Sequence, residues 1–216
     1  MFFVIEHLEP EVSRWLYIEY SCASKIVGGS KLIFTNVKNL RYAKVLSKLG
    51  SVRSESFAEI FPLERIVILD PRASEGLRPE DLEGKEAIIV GGILGDHPAR
   101  GRTRKLITAR VPGVLSRNIG VGQFSIDGAI YMAKLVSEGV RLENIPVREG
   151  LRIRLNERAE IHLPYMYPLK NGKPLISNEL IRYLTSEGII RDEKKLLMEK
   201  PAVRSKINFL EGSIKT

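Results

Sequence analysis

The fold of this chain is decided by the stretch Glu86-Ala-Ile-Ile-Val-Gly91-Gly92-Ile93-Leu94-Gly95-Asp96-His97-Pro98. An uninterrupted run of four apolar residues is typical of a central parallel strand that is buried on both faces. Two glycines follow at once, so the backbone is expected either to turn sharply there or to approach another group closely. Because α/β folds bind ligands at the carboxyl edge of the sheet, the stretch predicts a binding site at that edge.

Apolar runs that alternate with helical patterns surround this strand and predict an α/β fold, a mostly parallel sheet with flanking helices. Besides the central strand at 87–90, we predict strands at residues 2–5, 31–35, 65–69 and 114–116. Helices are predicted at residues 10–23, 40–49, 99–110 and 125–138, the last one capped by Ser125. Residues 51–62 are predicted to form a loop with one helical turn.

The pattern changes after residue 145. Residues 147–155 alternate apolar and charged side chains, residues 161–167 form a second candidate strand, and Asn171-Gly172 signals a tight turn. A helix is predicted at 179–185. We therefore divide the chain into an α/β core at 1–145, a strand-pair and helix extension at 146–190, and a charged helix or tail at 191–216.

Composition narrows the class of protein. The chain has 216 residues, of which 44% are hydrophobic, and this is enough to bury a sizeable core. No apolar run approaches the roughly 20 residues of a membrane span, so we expect a cytoplasmic protein without a membrane partner. Cys22 is the single cysteine, which predicts neither a disulfide framework nor a metal site. The net charge of +8 favours anionic partners such as RNA.

Three predicted strands end in unusual turns, at Leu69-Asp-Pro-Arg72, Gly91-Gly-Ile-Leu-Gly-Asp96 and Leu115-Ser-Arg-Asn-Ile-Gly120. Parallel strands point the same way, so these three loops are expected at one edge, where their backbone amides would line a cleft. The glycine spacing is not the dinucleotide fingerprint, and no Gly-Lys-Ser/Thr follows. A nicotinamide or nucleoside-triphosphate site is therefore disfavoured.

Short motifs along the chain indicate a family. They are Glu6-His-Leu-Glu9, Ile18-Glu-Tyr-Ser21, Leu69-Asp-Pro-Arg-Ala73, the stretch Gly91–Pro98, Arg102-Thr103 and Asp127-Gly-Ala-Ile130. In this order they resemble the archaeal and eukaryotic branch of the SPOUT-class methyltransferases, to about residue 185. The branch's characterised eukaryotic members are protein arginine N-methyltransferases that act on a small-subunit ribosomal protein.

The resemblance implies a carboxyl-terminal trefoil knot, a rare exception to unknotted topology, that binds S-adenosylmethionine in a bent form. Carried over to matching positions, it implies that the cofactor is held mostly by backbone groups of the three loops. The residues are Leu69, Pro71, Gly91, Gly92, Gly95, Leu115, Ser116, Ile119 and Gly120. We also predict that Arg102 pairs with the carboxylate of the cofactor.

Methylation of an arginine brings a guanidinium to a sulfonium, and because both are positive, carboxylates near the methyl group are a physical requirement. The first twenty residues are acidic, with Glu6, Glu9, Glu11 and Glu19 against Arg14. Glu9 and Glu11 are interpreted as charges at a helix amino terminus. The catalytic candidates are Glu6, Glu19 and Asp96 for gripping the guanidinium, and His97 or His7 near the proton path.

The stretch Arg100–Arg117 leaves an alternative open. It contains Arg100, Arg102, Arg104, Lys105, Arg110 and Arg117 and no acid. These bases either form a solvated face or contact RNA phosphates. The first hypothesis is therefore a protein arginine methyltransferase with a ribosomal protein substrate, and the alternative is an RNA methyltransferase acting on rRNA or tRNA. A non-enzymatic RNA-binding module is a third. The branch resembles a monomeric exception in a class that commonly dimerises, so a monomer is expected.

Overall fold

The structure, a computed structural model, describes residues 1–95, 100–155 and 159–186. Its main sheet has six parallel strands in the order β3-β2-β1-β5-β4-β6. They are β1 Phe2–His7, β2 Leu32–Thr35, β3 Ser51–Val52, β4 Ile66–Leu69, β5 Ala87–Gly92 and β6 Ser116–Arg117. The predicted α/β class and parallel sheet are confirmed, with β5 in the middle.

Helices connect these strands. They are α1 Arg14–Val27, α2 Leu40–Leu46, α3 Phe57–Ile60, α4 Arg102–Leu106 and α5 Ile126–Ser137. Ser125 caps α5 as predicted, because its hydroxyl accepts a hydrogen bond from the Gly128 N–H at 3.2 Å. The start of α1 was predicted wrongly. Ser13 accepts from the Leu16 N–H and fixes the first turn, so α1 begins at Arg14 rather than Pro10.

The long helix predicted at 99–110 is wrong. In the described part of this segment, α4 covers only Arg102–Leu106, and a short 3-10 turn follows at Thr108–Arg110. The helix stops because Thr108 turns inward, where its hydroxyl donates to the Asp70 carboxylate at 2.8 Å. Strand β6 is also displaced by two residues from its predicted start, to Ser116–Arg117.

The core has a layer on each face of the sheet. Phe3 and Ile5 of β1 face α1, α2 and α5, whereas Val4 faces the opposite layer with Phe57 and Ile107. This alternation follows from the two-residue period of a strand, and apolar burial on both sides explains the unalternating pattern of the sequence. Helix α1 lies against α5 over the first layer.

A second, antiparallel sheet covers the outer side of α1. Its strands are β7 Val147–Arg154, β8 Glu160–Lys170 and β9 Lys173–Pro174, and α6 Asn178–Leu184 follows. Asn171 and Gly172 have φ values of 52° and 75°, which confirms the predicted tight turn between β8 and β9. Ile18 of α1 packs into the cluster formed by this sheet and α6, so α1 is sandwiched between the two sheets.

Across residues 1–95, 100–155 and 159–186, no helix combines the length and the apolar character that crossing a membrane requires.

Candidate active site

A cleft lies at the carboxyl ends of β4, β5 and β6, the edge at which the sequence predicts a site. It is partly open, and the space within it, counted together with the solvent at its mouth, is about 550 Å³. Its walls are Leu69, Asp70, Pro71, Val90, Gly91, Ile93, Thr103, Ile119, Gly120, Gly122 to Ile126 and Ala129. The walls combine apolar side chains with polar groups and glycine-rich backbone at the carboxyl ends of parallel strands, which is where α/β folds bind small molecules.

Strand pairing brings the three predicted loops together. Ile68 of β4 lies opposite Ile89 of β5 on one side and Ser116 of β6 on the other. Beyond the strands, the Asn118 N–H donates to the Glu75 carbonyl at 2.8 Å, and the Leu77 N–H donates to the Asn118 carbonyl at 2.8 Å. The loop after β6 is thereby bonded to the loop after β4. The predicted convergence of these strand ends is confirmed.

The predicted cofactor residues fall into two groups. Leu69, Pro71, Gly91, Ile119 and Gly120 line the cleft. Residues in the second group lie next to the cleft but not in its wall; they are Gly92, Gly95, Arg102, Leu115 and Ser116. Their roles in binding remain predictions.

Gly92 is a strand residue rather than part of a turn. It lies opposite His7 of β1, and a Cβ atom on it would come within 2.4 Å of the Tyr20 hydroxyl and 2.8 Å of the Glu6 carbonyl. The sequence offered a sharp turn or a close approach as explanations for this glycine pair. The prediction of a sharp turn at Gly92 is wrong. The close approach of Tyr20 and Glu6 explains why this residue is a glycine.

Strand β8 of the second sheet covers the cleft from outside. The Tyr165 hydroxyl donates to the Gly95 carbonyl at 3.1 Å, and a Cβ on Gly95 would come within 2.5 Å of the Tyr165 ring. The Met166 N–H donates to the Gln123 carbonyl at 2.8 Å. The extension therefore holds two of the loops that shape the cleft.

Glu9 and Arg102 anchor the glycine-rich loop. The Glu9 carboxylate accepts from the Leu94 N–H at 3.0 Å and from the Arg102 guanidinium at 3.0 Å, and Arg102 also donates to the Leu94 carbonyl. Glu9 is buried and precedes α1, whose first turn holds no acid. The interpretation of Glu9 and Glu11 as helix-terminus charges is therefore wrong. Arg102, predicted to meet a cofactor carboxylate, meets Glu9 instead.

Two more bases of the Arg100–Arg117 stretch turn inward. Arg104 pairs with the buried Asp70 at 3.2 Å, and Arg117 pairs with Asp81 at 2.9 Å. Partial burial acts to raise the pKa of the Asp81 carboxyl, but the hydrogen bonds and charge of Arg117 outweigh it and hold that pKa below its usual value. Half of this basic stretch is thus engaged in internal ion pairs rather than forming a solvated face.

Glu19 and Asp127 form a buried pair of carboxyl groups behind the cleft wall. Glu19 accepts from the Trp15 indole N–H at 2.6 Å and from the Ile126 N–H at 2.9 Å. Burial, and next the negative charge of Asp127, raise the pKa of Glu19 to about 8. Burial raises the pKa of Asp127 to about 6, although hydrogen bonds from Ser125 and the Gly128 N–H oppose this. Close to neutral pH, the pair therefore holds one proton and one negative charge.

Glu6 is placed differently from Glu19. Its carboxylate accepts from the Thr35 hydroxyl at 2.5 Å, the Ser56 hydroxyl at 2.7 Å and the Phe57 N–H at 3.1 Å. It is buried on the sheet face opposite α1 and does not line the cleft. The expectation that Glu6 faces the cleft is therefore wrong, because three donors hold it at the start of α3.

His7 lies behind Gly92 and not in the cleft wall. Its Nδ1 atom is 3.0 Å from the Tyr20 hydroxyl, and burial lowers its pKa, with Glu9 acting weakly in the other direction. The other two catalytic candidates, Asp96 and His97, lie outside the described residues.

Known proteins resemble this chain in sequence and in fold. Residues 2–189 match the family described as "Protein arginine N-methyltransferase SFM1-like". The chain is 33% identical over 204 residues to protein arginine N-methyltransferase SFM1 of Saccharomyces cerevisiae, covering 87% of this chain and 96% of the yeast protein. This chain belongs to the SFM1-like family.

Solved structures of yeast SFM1 resemble this SFM1-like chain over most of its length. The complex with SAM has a TM-score of 0.77 at 32% identity, covering 85% of this chain and 89% of that chain. The complex with SAH has a TM-score of 0.76 at 30% identity, covering 86% and 94%. A dual-specific Trm10 from Thermococcus kodakaraensis shares the fold alone, with a TM-score of 0.51 at 18% identity over 66% of this chain and 96% of that chain. The resemblance to SPOUT-class methyltransferases is confirmed.

Sequence reasoning missed several residues of this SFM1-like site. Asp70 lies inside a motif that was singled out, but only its neighbours were chosen as ligands. Gln123 and Phe124 directly follow the third loop, and that position was the available signal. Tyr165 carried no local signal, because its place over Gly95 depends on how the second sheet packs.

Proposed function

We propose that this chain is an S-adenosylmethionine-dependent protein arginine N-methyltransferase. The observation that carries the proposal is the buried carboxyl pair of Glu19 and Asp127, directly behind a cleft built from glycine-rich loops. Across the described residues, no base forms a salt bridge with either of them. Uncompensated negative charge of this kind suits a cleft in which two cations meet. Membership of the SFM1-like family supports arginine as the acceptor.

The cleft fits the cofactor. Leu69, Ile119 and Ile126 offer an apolar surface for a flat ring, and the glycines leave backbone groups accessible. Gly120 has a φ of 109°, where only glycine is unstrained, and a Cβ on it would meet no atom within 4 Å. When bound, S-adenosylmethionine supplies an electrophilic methyl group on a positively charged sulfur.

Among the described residues, the other buried acids near the cleft are already compensated. Glu9 pairs with Arg102 and Asp70 with Arg104, so neither adds net negative charge for a substrate. The pair of Glu19 and Asp127 carries one negative charge near neutral pH, and an arginine side chain with its fixed positive charge would be drawn towards it. Methyl transfer breaks the bond between the methyl group and the cofactor's sulfur, forms one N–C bond on the guanidinium, leaves S-adenosylhomocysteine and releases one proton. A carboxyl pair that titrates close to neutral pH is suited to holding that proton.

We further propose a ribosomal protein as the substrate, a monomeric enzyme and a cytoplasmic location. These follow from the resemblance to the branch whose eukaryotic members act on a small-subunit ribosomal protein. Light scattering of the purified protein tests the monomer, and a fluorescent fusion tests the location. A protein that elutes at twice the chain mass of 24.3 kDa would contradict the monomer.

A trefoil knot completes the proposal. The bonds that tie Asn118 to Glu75 and Leu77 support it, because they bind the segment that leads into α5 to the loop after β4. A crystal structure in which the backbone is traced through residues 70–130 tests the knot. A trace in which the segment leading into α5 passes through no loop would overturn the knot but not the cleft.

The central experiment is a labelling assay. Purified protein is incubated with radiolabelled S-adenosylmethionine and salt-washed ribosomal subunits, and the products are separated on a denaturing gel. We expect label in one protein band that survives ribonuclease and appears as methylarginine on acid hydrolysis. Label that disappears with ribonuclease would establish the RNA methyltransferase instead. Absence of cofactor binding by calorimetry would overturn both.

A further inference from the structure

Residues 20–54 carry a run of positive charge that no acid in the segment balances. This segment contains seven bases and no Asp or Glu, whereas the net charge of the whole chain is +8. The bases are Lys25, Lys31, Lys38, Arg41, Lys44, Lys48 and Arg53, and all are exposed. Among the described residues, none of the seven forms a salt bridge. This segment therefore contributes seven positive charges that no carboxylate of the described residues neutralises through a salt bridge.

This surface differs from the Arg100–Arg117 stretch, where RNA contact was first expected. There, Arg102, Arg104 and Arg117 are bound by carboxylates of the same chain. A base that is already paired gains little from a phosphate. The free charge of residues 20–54 is the better candidate for an anionic partner.

Helix α2 arranges part of this charge in a stripe. Arg41 and Lys44 are three residues apart on one side of α2, and Lys48, four residues further on, lies in the turn that follows the helix. The opposite side carries Leu46, which is fully buried in the core. We define Arg41, Lys44 and Lys48 as the α2 stripe. Lys38 precedes it and extends it towards the carboxyl edge of the sheet.

We propose that the α2 stripe is a docking surface for RNA. A row of unpaired bases complements the row of phosphates along an RNA strand. The guanidinium of a substrate arginine would be repelled by the stripe, so that side chain does not bind there. A membrane surface is also disfavoured, because the helix exposes only Leu40 and Val45 as large apolar side chains, too few to insert into lipid.

The stripe begins near the cleft. Lys38 and Arg41 follow the carboxyl end of β2, and β2 lies two strands from β5, about 10 Å at the usual strand spacing. Between them, the Tyr42 ring lies against His7, with ring centroids 6.4 Å apart, and His7 pairs with Gly92. RNA held on the stripe would therefore pass beside the cleft mouth. In that position the RNA would bring a protein bound to it close to the carboxyl pair, and this step rests on the proposed function. RNA binding by the stripe does not rest on it.

The test compares two triple variants by fluorescence anisotropy with a fluorescein-labelled RNA duplex and a single-stranded RNA of equal length. Arg41→Gln/Lys44→Gln/Lys48→Gln removes the stripe. Arg148→Gln/Lys170→Gln/Lys173→Gln removes the same charge from exposed positions on the extension. We expect the stripe variant to lose about tenfold or more in affinity at about 50 mM salt and to reduce the salt slope by about 2 to 3. The control variant should stay within about twofold of the wild-type affinity.

Equal losses in both variants, or no loss in either, would overturn the proposal. Binding to phosphatidylserine vesicles without binding to RNA would also overturn it and establish a membrane surface. Calorimetry with S-adenosylmethionine separates this test from the proposed function. We expect both variants to bind the cofactor as the wild type does. A protein that binds RNA through the stripe but binds no cofactor would refute the enzyme and leave the docking surface intact.

Discussion

The Glu19 carboxylate accepts a hydrogen bond from the Ile126 N–H at 2.9 Å, which ties the middle of α1 to the first residue of α5. Ile126 is also part of the cleft wall. The buried carboxyl group of Glu19 therefore lies one residue behind the surface that a ligand would touch. The same bond, at the positive end of the α5 dipole, acts to lower the pKa of Glu19, but burial outweighs it.

The first prediction contrasts two buried acids, Glu19 and Glu6. Glu19→Gln should lower the turnover of methyl transfer by about 100-fold, with cofactor affinity changed little, because the buried pair loses one of its two titrating carboxyl groups, and with it the means to hold the released proton, but keeps its shape. Glu6→Gln should cost about 1–3 kcal/mol in unfolding free energy, because the amide nitrogen cannot accept from one of its three donors. Its turnover should remain within about threefold. Urea unfolding and single-turnover labelling measure the two quantities, and the reverse pattern would refute the assignment.

The second prediction concerns pH. The folded protein raises the pKa of Glu19 from the ordinary 4.5 to about 8, so between these values the folded state holds a proton that the unfolded state releases. Stability should therefore fall as pH rises through this window, and Asp127 acts in the same direction at lower pH. Glu19→Gln removes the titration, so the difference in melting temperature between wild type and variant should change by several degrees between pH 5 and 8. A constant difference would contradict the raised pKa.

The central strand and its neighbours could be predicted from the sequence because burial on both faces leaves a local mark, an unalternating apolar run. The site acids could not be predicted in the same way. The partners of Glu6 and Glu19 lie 50 and 107 residues away in the chain, at Ser56 and Ile126. Whether a carboxylate faces a cleft or caps a distant helix is decided by tertiary packing. The charge pattern shows only that the segment is acidic.

Long-range partners also explain the errors around the glycine-rich loop. In the sequence, the basic stretch resembles a solvated face. In the structure, its arginines form salt bridges with acids that are far away in sequence, such as Glu9 and Asp81. Gly92 resembles a turn glycine until Tyr20 of α1 is seen to occupy the space beside it. In each case the residue type was informative, and the partner was not available from the local pattern.

The third prediction follows from the contact between Gly92 and Tyr20. Gly92→Ala should lower the melting temperature markedly, because the new Cβ would come within 2.4 Å of the Tyr20 hydroxyl. Gly92→Ala/Tyr20→Phe should recover part of the loss, since the closest atom is removed. Recovery should be incomplete, because the Glu6 carbonyl remains at 2.8 Å and His7 loses its partner. If the double variant loses more stability than the two single variants lose together, a contact other than that with the Tyr20 hydroxyl causes the destabilisation by Gly92→Ala.

The fourth prediction tests the anchor of the glycine-rich loop. Arg102→Ala leaves Glu9 buried, with its side chain only 4% exposed, and removes its charged partner. Such a loss is strongly destabilising for a buried ion pair, so we expect a fall of about 3 kcal/mol in unfolding free energy and weaker cofactor binding. Glu9→Gln/Arg102→Ala should recover stability, because a neutral amide can still accept from the Leu94 N–H. Calorimetry on the wild type and these two variants separates the two roles of Arg102. If the double variant regains both stability and affinity, Arg102 serves the loop. If stability returns and affinity does not, Arg102 contacts the cofactor as the sequence predicts.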